Sequence, residues 1–408
     1  MIYLQRMKVK KSIKTSRIIV LVLSIVVVVI CAGITIFLIT NIKSANNQKS
    51  NASSRINADN KIKTKTPIIH MVAMGDMLAH DTIIANATTE NGYNFSHYFQ
   101  NIRSTYKNAN VIFCNQEGLS SGEQYGLSGY PSFNAPTQFS ADLVSGAGCN
   151  LINLANNHMG DKGVAATNAT LDVWSKLKPL AVSGANKNAS DQNKISTFEV
   201  NDIKIGFVSF ADFNNNKATP DYSVNNYHDE TLVRRLVGQL RAETDVVIVS
   251  MHWGVEDSST VSSDQINEAS LLSSLGADII IGTGPHVLQK VDVIKRTDNS
   301  QTVVWYSLGN MLSSQLNIKE LIGGIAQFDI SKTGGKISVS KPSFTPTFMY
   351  YEWTSAEAAI NDLMARKNAM INPLDDAFVP LSKSLFNTSV ATQKQYVIDT
   401  LGPEVTVK

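Results

Sequence analysis

Residues 68–76 read IIHMVAMGD, an apolar run that ends in glycine and aspartate. Such a run predicts a buried β-strand, and its end places a carboxylate beside the strand backbone. Five further polar clusters close apolar runs in the same way. They are Asn115-Gln116-Glu117, Asn156-Asn157-His158 with Asp161, residues 252–256 (HWGVE), Gly284-Pro285-His286 and residues 307–310 (SLGN).

Strand-like and helix-like segments alternate through much of the chain. The helix-like segments are residues 164–177, 230–241 and 265–275. Residues 195–200 and 204–210 flank Asn201-Asp202, which predicts a β-hairpin. Strand-like runs dominate after residue 287. This order is typical of an α/β protein, and it predicts a two-sheet sandwich flanked by helices in residues 67–350.

Side chains at the carboxyl ends of neighbouring strands converge on one crevice, so the clusters predict a single site. Two carboxylates, Asp76 and Glu117, repel each other in one crevice unless a cation or a shared proton lies between them. Asn157 and His158 follow an apolar strand, where an amide and an imidazole make a poor core and a good ligand set. The adjacent Asn156 is expected to cap the turn instead.

His252 and His286 each follow a strongly apolar strand. A single histidine in such a place is more often a hydrogen-bonded structural residue, whereas two, on two strands that follow the alternation of strands and helices, favour a site. We expect Trp253 to shape the wall of this site and Glu256 to orient His252. Asn310 either contacts the site or closes a turn beside it, and the second is the plainer expectation.

The N-terminal region has the pattern of a membrane anchor. Residues 1–17 carry six basic side chains and no acid, and residues 18–40 are almost wholly apolar. As a helix this segment would be about 33 Å long, enough for a bilayer core of about 30 Å. It is longer than the apolar region of a cleaved signal peptide, the alternative reading. Cys31 is disfavoured as a lipid attachment site because the residue before it is isoleucine. The charge bias predicts a single-pass protein of the cell membrane with an extracellular C-terminal domain, joined to the anchor by a flexible linker at residues 41–66.

Residues 351–408 differ from the alternating part of the chain. Two stretches, residues 355–367 and 392–401, have helical character. They predict a helical C-terminal extension that packs on the core, with a separate partner-binding module as the alternative.

Composition adds two constraints. Beyond the basic N-terminal segment the chain is slightly acidic, which gives no case for binding nucleic acid. Cys114 and Cys149 lie in or beside apolar runs of the presumed outer domain. They are compatible with one disulfide in an oxidising compartment or with two buried thiols.

The ordered set of clusters resembles the CapA, or poly-γ-glutamate capsule biosynthesis, proteins, whose domain is similar to the calcineurin-like metallophosphoesterases. The resemblance covers residues 68–349 and implies a metallophosphoesterase-like fold. It also implies a membrane-anchored protein that faces outward. The implied partners are an anionic polymer such as poly-γ-glutamate and other capsule-synthesis membrane proteins. The resemblance implies catalytic roles for His158 and Asp161. It also implies a divalent metal ion (Mn, Fe or Zn) at Asp76, Glu117, Asn157, His252 and His286.

Two positions differ from the phosphoesterase pattern. Leu78 stands where phosphoesterases usually have a histidine two residues after the first aspartate, and Gly284 stands where many relatives have the first histidine of His-Pro-His. Two hypotheses follow. One is a capsule-biosynthesis protein that binds, exports or retains an anionic polymer without hydrolysis. The other is an active metal-dependent hydrolase of a phosphoester or related bond at the cell envelope.

Overall fold

The computed structural model of the chain describes residues 66–408, and two β-sheets form the centre of this part. The predicted basic segment (1–17), transmembrane anchor (18–40) and nearly all of the linker (41–66) lie outside the described residues. Within residues 66–408, no helix is both long enough and apolar enough to cross a bilayer.

The elements are numbered along the chain. The strands are β1 (Ile68–Leu78), β2 (Thr88–Thr89), β3 (Gly92–Tyr93), β4 (Val111–Glu117), β5 (Leu151–Asn153), β6 (Ala181–Ser183), β7 (Ser196–Val200), β8 (Ile203–Ala211), β9 (Val246–His252), β10 (Ile279–Thr283), β11 (Val291–Lys295), β12 (Gln301–Trp305), β13 (Asn310–Leu312), β14 (Ile322–Thr333), β15 (Lys336–Val339), β16 (Ser343–Glu352), β17 (Lys367–Pro373) and β18 (Thr406–Val407). The α-helices are α1 (Asp81–Ala87), α2 (Gln138–Asp142), α3 (Gly163–Leu177), α4 (Ala189–Gln192), α5 (Glu230–Glu243), α6 (Ser263–Ser274), α7 (Ser355–Ala359), α8 (Phe378–Lys383) and α9 (Val390–Leu401).

The larger sheet has ten strands, and its main path runs β17-β16-β14-β1-β4-β5-β6. Strands β1, β4, β5 and β6 are parallel, whereas β14, β16 and β17 form an antiparallel half. The smaller sheet has six strands in the order β11-β12-β10-β9-β8-β7. Its four central strands are parallel, and its two edge strands are antiparallel to their neighbours. In both sheets, the parallel strands thus end at a common edge where loops can build a site.

The alternation of side chains along β9 shows how the layers are stacked. Val246 and Ile248 belong to the large core that also contains residues of the larger sheet. Val247 and Val249 point the other way and pack with the buried faces of α5 and α6. The rings of Phe113 from β4 and Phe207 from β8 lie 6.2 Å apart between centroids, edge to face. Because successive residues of a strand face opposite sides, the largely apolar β9 is buried on both faces.

The predicted two-sheet α/β sandwich with flanking helices is confirmed, including most element positions. The hairpin of β7 and β8 turns at Asn201 and Asp202, whose φ angles are 50° and 59°. Two consecutive residues with positive φ are characteristic of a two-residue turn that matches the twist of the strands. The structure also joins Cys114 of β4 to Cys149, just before β5, in a disulfide.

Of the two helical stretches predicted in the C-terminal extension, the first is mostly wrong. Within residues 355–367 only Ser355–Ala359 is α-helical, and the chain then forms β17, which pairs with β16. Asn361 and Asn368 both have a φ of 54°, which interrupts a helix. Ala369 and Ile371 are buried with more exposed residues between them, the period of a strand. The helix predicted near residues 392–401 is present as α9.

Candidate metal centre

Side chains from both sheets meet where the parallel strands end. Asp76 lies near the end of β1, Glu117 is the last residue of β4, and His252 is the last residue of β9. Asn157 and His286 lie in the loops that follow β5 and β10. All five are at least nine-tenths buried. The five predicted metal positions are therefore brought to one place, although they are up to 210 residues apart in sequence.

Gly75 sets the direction of the Asp76 side chain. A Cβ atom at Gly75 would lie 1.8 Å from the carbonyl oxygen of Gly309, so no other residue fits there. The backbone N–H of Asp76 donates to that same oxygen at 2.9 Å. The register of β1 against β4 shifts between Met74 and Asp76, which turns the carboxylate away from the apolar core.

The carboxylate of Asp76 is surrounded by donors. Its Oδ1 accepts a hydrogen bond from Asn115 Nδ2 at 2.6 Å, and its Oδ2 accepts one from the backbone N–H of Gly284 at 3.2 Å. His286 Nδ1 lies 3.2 Å from the same Oδ2. Burial raises the pKa of Asp76, but the hydrogen bond and the charge of His286 outweigh it, so the pKa lies below the usual value.

His286 lies between the two carboxylates. Its Nδ1 is 3.1 Å from Asn310 Oδ1, and its Nε2 is 3.7 Å from Glu117 Oε1. Burial lowers its pKa, but Glu117 and Asp76 together raise the pKa to about 10. Its φ of 60° is uncommon for a residue other than glycine and is typical of positions held by a functional site.

The carboxylate of Glu117 is buried in the site without a hydrogen-bond donor within residues 66–408. Burial raises the pKa of Glu117 well above its usual value, and Asp76, Glu256 and Asp161 raise it further, although His286 opposes them. Oxygen and nitrogen atoms of Asp76, Glu117 and His252 all lie within 4.8 Å of one another. A buried carboxylate without a donor, facing a second carboxylate and an imidazole, is what a bound cation would satisfy.

His252 is oriented for use of its Nε2 atom. Nε2 lies 3.0 Å from Asn157 Oδ1 and 3.7 Å from Glu117 Oε1, and Nδ1 lies 3.0 Å from Thr283 Oγ1. Burial lowers the pKa of His252 to about 4, which keeps the ring neutral and able to bind a metal. The prediction that Glu256 orients His252 is wrong. Glu256 is exposed and, within the described residues, makes no hydrogen bond to His252, while Thr283 takes that position.

His158 and Asp161 form a pair beside these ligands. His158 Nδ1 lies 2.7 Å from Asp161 Oδ2, which also accepts a hydrogen bond from Phe133 N at 2.7 Å. The ring of Phe133 meets that of His158 edge to face at 4.6 Å. Since Nδ1 faces the carboxylate, Nε2 is the atom available to a substrate. Asn156 accepts from the backbone N–H groups of Gly118 and His158, so it has the predicted structural role.

Two polar residues near the site, Thr283 and Asn215, were not predicted, and Asn115 was predicted only as a member of a polar cluster. Asn115 donates to Asp76 and accepts from Asn153 at 2.9 Å, Thr283 orients His252, and Asn215 Nδ2 lies 3.2 Å from His158 Nδ1. The polar end of the β4 run identified Asn115, but its hydrogen bond to Asp76 has no local signal in the sequence. Asn215 lies in a polar loop, and nothing local in the sequence distinguishes it from its neighbours.

Leu78 and Gly284 occupy the two positions where the phosphoesterase pattern has histidine. Leu78 is buried and lies opposite Glu117 in the pairing of β1 and β4. Gly284 has a φ of 107°, and a Cβ there would lie 2.9 Å from the carbonyl oxygen of Trp253 and 3.3 Å from His252 Nε2. Gly284 therefore contributes its backbone N–H to Asp76 in a position that no side chain could occupy.

Comparison with known proteins gives both relatives and structural neighbours. Residues 70–315 match the family model described as bacterial capsule synthesis protein PGA_cap. The chain is similar to the PGA biosynthesis protein CapA of Bacillus subtilis (strain 168), with 32% identity over 197 residues, which are 47% of this chain and 50% of that protein. It is similar to the capsule biosynthesis protein CapA of Bacillus anthracis, with 27% identity over 256 residues, 60% of this chain and 61% of that protein. The matches thus span about half to three-fifths of these relatives.

Two solved structures show weaker similarity. One is a hypothetical protein from Thermus thermophilus, with 15% identity, a TM-score of 0.41 and coverage of 68% of this chain and 99% of that chain. The other is the calcineurin-like phosphoesterase YfkN from Bacillus subtilis, with 14% identity, a TM-score of 0.39 and coverage of 69% and 90%. The predicted resemblance to CapA proteins is confirmed by the family model, which matches more than half of the chain: the protein belongs to the bacterial capsule synthesis protein family PGA_cap.

Proposed function

We propose that this chain is a metal-dependent hydrolase of the cell envelope that acts in capsule biosynthesis. The observation that carries the proposal is the buried carboxylate of Glu117, which has no donor within the described residues and faces Asp76 and His252. An apolar interior does not tolerate such a group unless a proton or a cation compensates it. The residues present therefore fit a divalent metal ion.

The donor set favours a borderline metal. The candidate ligands are the carboxylates of Asp76 and Glu117, the amide oxygen of Asn157 and the imidazole of His252. His286 would join them only if a cation displaced the proton that the two carboxylates favour on its ring. A mixture of oxygen and imidazole nitrogen suits Mn, Fe or Zn. When bound, such an ion supplies positive charge that polarises the bond to be cleaved.

His158 is the proton donor in this proposal. Asp161 accepts from Nδ1 and stabilises the protonated ring, so Nε2 can give its proton to the leaving group. The backbone N–H of Gly284 and the side chain of Asn115 hold Asp76 in place while the reaction proceeds. The substrate in this proposal is a phosphoester or a related bond.

The biological setting extends the proposal. The names of the two Bacillus relatives refer to biosynthesis of PGA and of a capsule. We extend this to an anionic polymer, poly-γ-glutamate, and to other capsule-synthesis membrane proteins as partners. The apolar segment at residues 18–40 would anchor the chain with its C-terminal domain outside, and the disulfide between Cys114 and Cys149 is compatible with an oxidising compartment.

A second candidate is a non-hydrolytic protein that binds the polymer during synthesis, export or retention. It is favoured by Leu78 and Gly284, which leave the site with two imidazoles fewer than the phosphoesterase pattern. A site with fewer ligands holds metal more weakly or holds fewer ions, and catalysis by two metals then fails.

Hydrolysis of chromogenic phosphomonoesters and phosphodiesters by the full-length protein in Mn, Fe or Zn separates the two candidates. We expect Asp76→Asn to abolish hydrolysis and metal binding together. His158→Gln should keep the metal and lose about 10²- to 10⁴-fold in rate. The matched control is Asp375→Asn, an exposed carboxylate paired with Lys394. Stoichiometric metal without hydrolysis of either ester class would favour the non-hydrolytic candidate.

A further inference from the structure

A cleft of about 320 Å³ opens directly beside the candidate metal ligands. Asn157, His252 and Gly284 line it on the side of the site. Phe213 and Val255 line it on the side of solvent, and they are 42% and 62% exposed. The cleft therefore offers space for the group next to a bond that reacts at His252.

The carboxylates in the lining of the cleft are not matched by basic side chains. Its lining residues include the carboxylates of Asp212 and Glu256, and none of them is lysine or arginine. Asp212 Oδ1 lies 2.6 Å from His228 Nε2, whereas Glu256 is exposed. Lys217 Nζ lies 5.6 Å from the centre of the Phe213 ring but is not part of the lining. A run of carboxylates would meet like charge here, so the cleft selects against a polyanion.

The loop that carries Phe213 is held firmly against the site. Asn215 N donates to Asn157 O at 2.8 Å, and Asn216 Nδ2 donates to Gly160 O at 2.9 Å. An exposed aromatic ring on a loop fixed in this way remains hydrated until a ligand covers it. Covering it releases that water without ordering a flexible loop, which favours binding of an apolar partner.

Val255 is presented in a similar manner on the opposite loop. It follows Gly254, which has a φ of 84°. Two residues after Val255, Asp257 has a φ of 64° and donates its backbone N–H to Pro285 O at 2.9 Å. These turns direct an apolar side chain outward at the mouth rather than into the core. Two exposed apolar side chains therefore frame the cleft.

We infer that this cleft binds an uncharged, apolar group attached to the reacting bond, with Phe213 and Val255 as the specificity-determining residues. The inference rests on the proposed function and names the class of substrate for that site. Carboxylates of an anionic polymer stay outside the cleft. The bond that reacts therefore joins a phosphoryl or related anionic group, held at the metal site, to an apolar group that lies in the cleft.

Binding of three phosphonates tests this inference without any turnover. Phenylphosphonate, methylphosphonate and 2-carboxyethylphosphonate share a head group and differ in an apolar, a minimal and an anionic tail. Isothermal titration of the full-length protein, metal-free and Mn-loaded, gives their Kd values. We expect phenylphosphonate to bind about five- to tenfold more tightly than methylphosphonate. 2-Carboxyethylphosphonate should bind most weakly.

Three variants identify the residues. Phe213→Ala should remove the advantage of phenylphosphonate and leave the Kd of methylphosphonate unchanged. Val255→Lys should make 2-carboxyethylphosphonate the better ligand of the two substituted compounds. The control is Phe378→Ala on α8, where the ring is 74% exposed and lies outside the cleft lining. It should change nothing.

The outcomes separate the inference from the proposed function. Metal uptake without a phenyl advantage, an advantage that survives Phe213→Ala, or absence of binding by all three compounds would overturn the inference. If the protein takes up no metal, the proposed function fails, and the ratio of phenyl to methyl affinity in the metal-free protein still decides the inference.

Discussion

The floor of the site and its mouth are built in opposite ways. The floor consists of Asp76, Glu117, His252 and His286, which are buried and lie on or directly after paired strands. The mouth consists of loop residues such as Phe213 and Val255, which are exposed. Strand pairing fixes the floor through many backbone hydrogen bonds, so changes there affect folding and chemistry together. Changes in the mouth can alter the proposed ligand preference with little loss of stability.

The largest effect is expected where the floor depends on the backbone alone. Gly75→Ala would place a methyl group 1.8 Å from the carbonyl oxygen of Gly309, so β1 must move and Asp76 with it. We expect a loss on the order of 3 kcal/mol or more in the free energy of unfolding, measured by denaturant titration. Gly238→Ala is the control, since its Cβ meets nothing within 4 Å in helix α5. It should stabilise the protein by about 0.5–1 kcal/mol. Equal effects of the two variants on the free energy of unfolding would show that the close approach of Gly75 to Gly309 does not hold β1 in place.

The disulfide should be the next strongest support of the floor. It joins Cys114, which directly precedes Asn115 in β4, to Cys149 across 35 residues. Reduction, or the double variant Cys114→Ser/Cys149→Ser, should lower the free energy of unfolding by about 2–4 kcal/mol. Thermal unfolding with and without a reductant measures it. No difference between the two states would show that strand pairing alone holds this part of the floor.

A third effect depends on pH and should come from His80: it is absent near neutral pH and grows as the pH falls. Its ring lies 5.1 Å from that of Phe133, and burial, with the charges of His286 and Arg366, lowers its pKa to about 3. The unfolded chain takes up this proton near pH 6.5 and the folded chain does not. The free energy of unfolding of the metal-free protein should therefore fall as the pH drops from 6.5 towards 3. His80→Gln should reduce that slope by up to about 1.4 kcal/mol per pH unit. Identical slopes would contradict this assignment.

The same contrast explains what the sequence could and could not predict. Asp76, Glu117, His252 and His286 each end an apolar run, a signal that periodicity reveals, and the structure places all four together. The partner of His252 was wrongly predicted because Thr283 reaches it from a neighbouring strand, a contact without a local signal. Asn215 and Phe213 depend on how a polar loop folds back on the site. In the C-terminal part, β17 forms because β16 offers an edge for pairing, and helical propensity does not include that contribution.

The most direct test of the account is the metal content of the full-length protein and of Glu117→Gln, an exchange that keeps the shape and removes the charge. The control is Glu199→Gln, an exposed glutamate of β7. Mn, Fe and Zn are measured by mass spectrometry after equilibration and desalting, together with thermal unfolding. At a hundredfold excess of metal over Kd, the bound ion should add about 2.7 kcal/mol to the free energy of unfolding. We predict metal uptake and this stabilisation in the wild type and in Glu199→Gln, and neither in Glu117→Gln. A wild type without metal, or a Glu117→Gln variant that binds metal as the wild type does, would show that the buried carboxylate of Glu117 does not hold a metal ion.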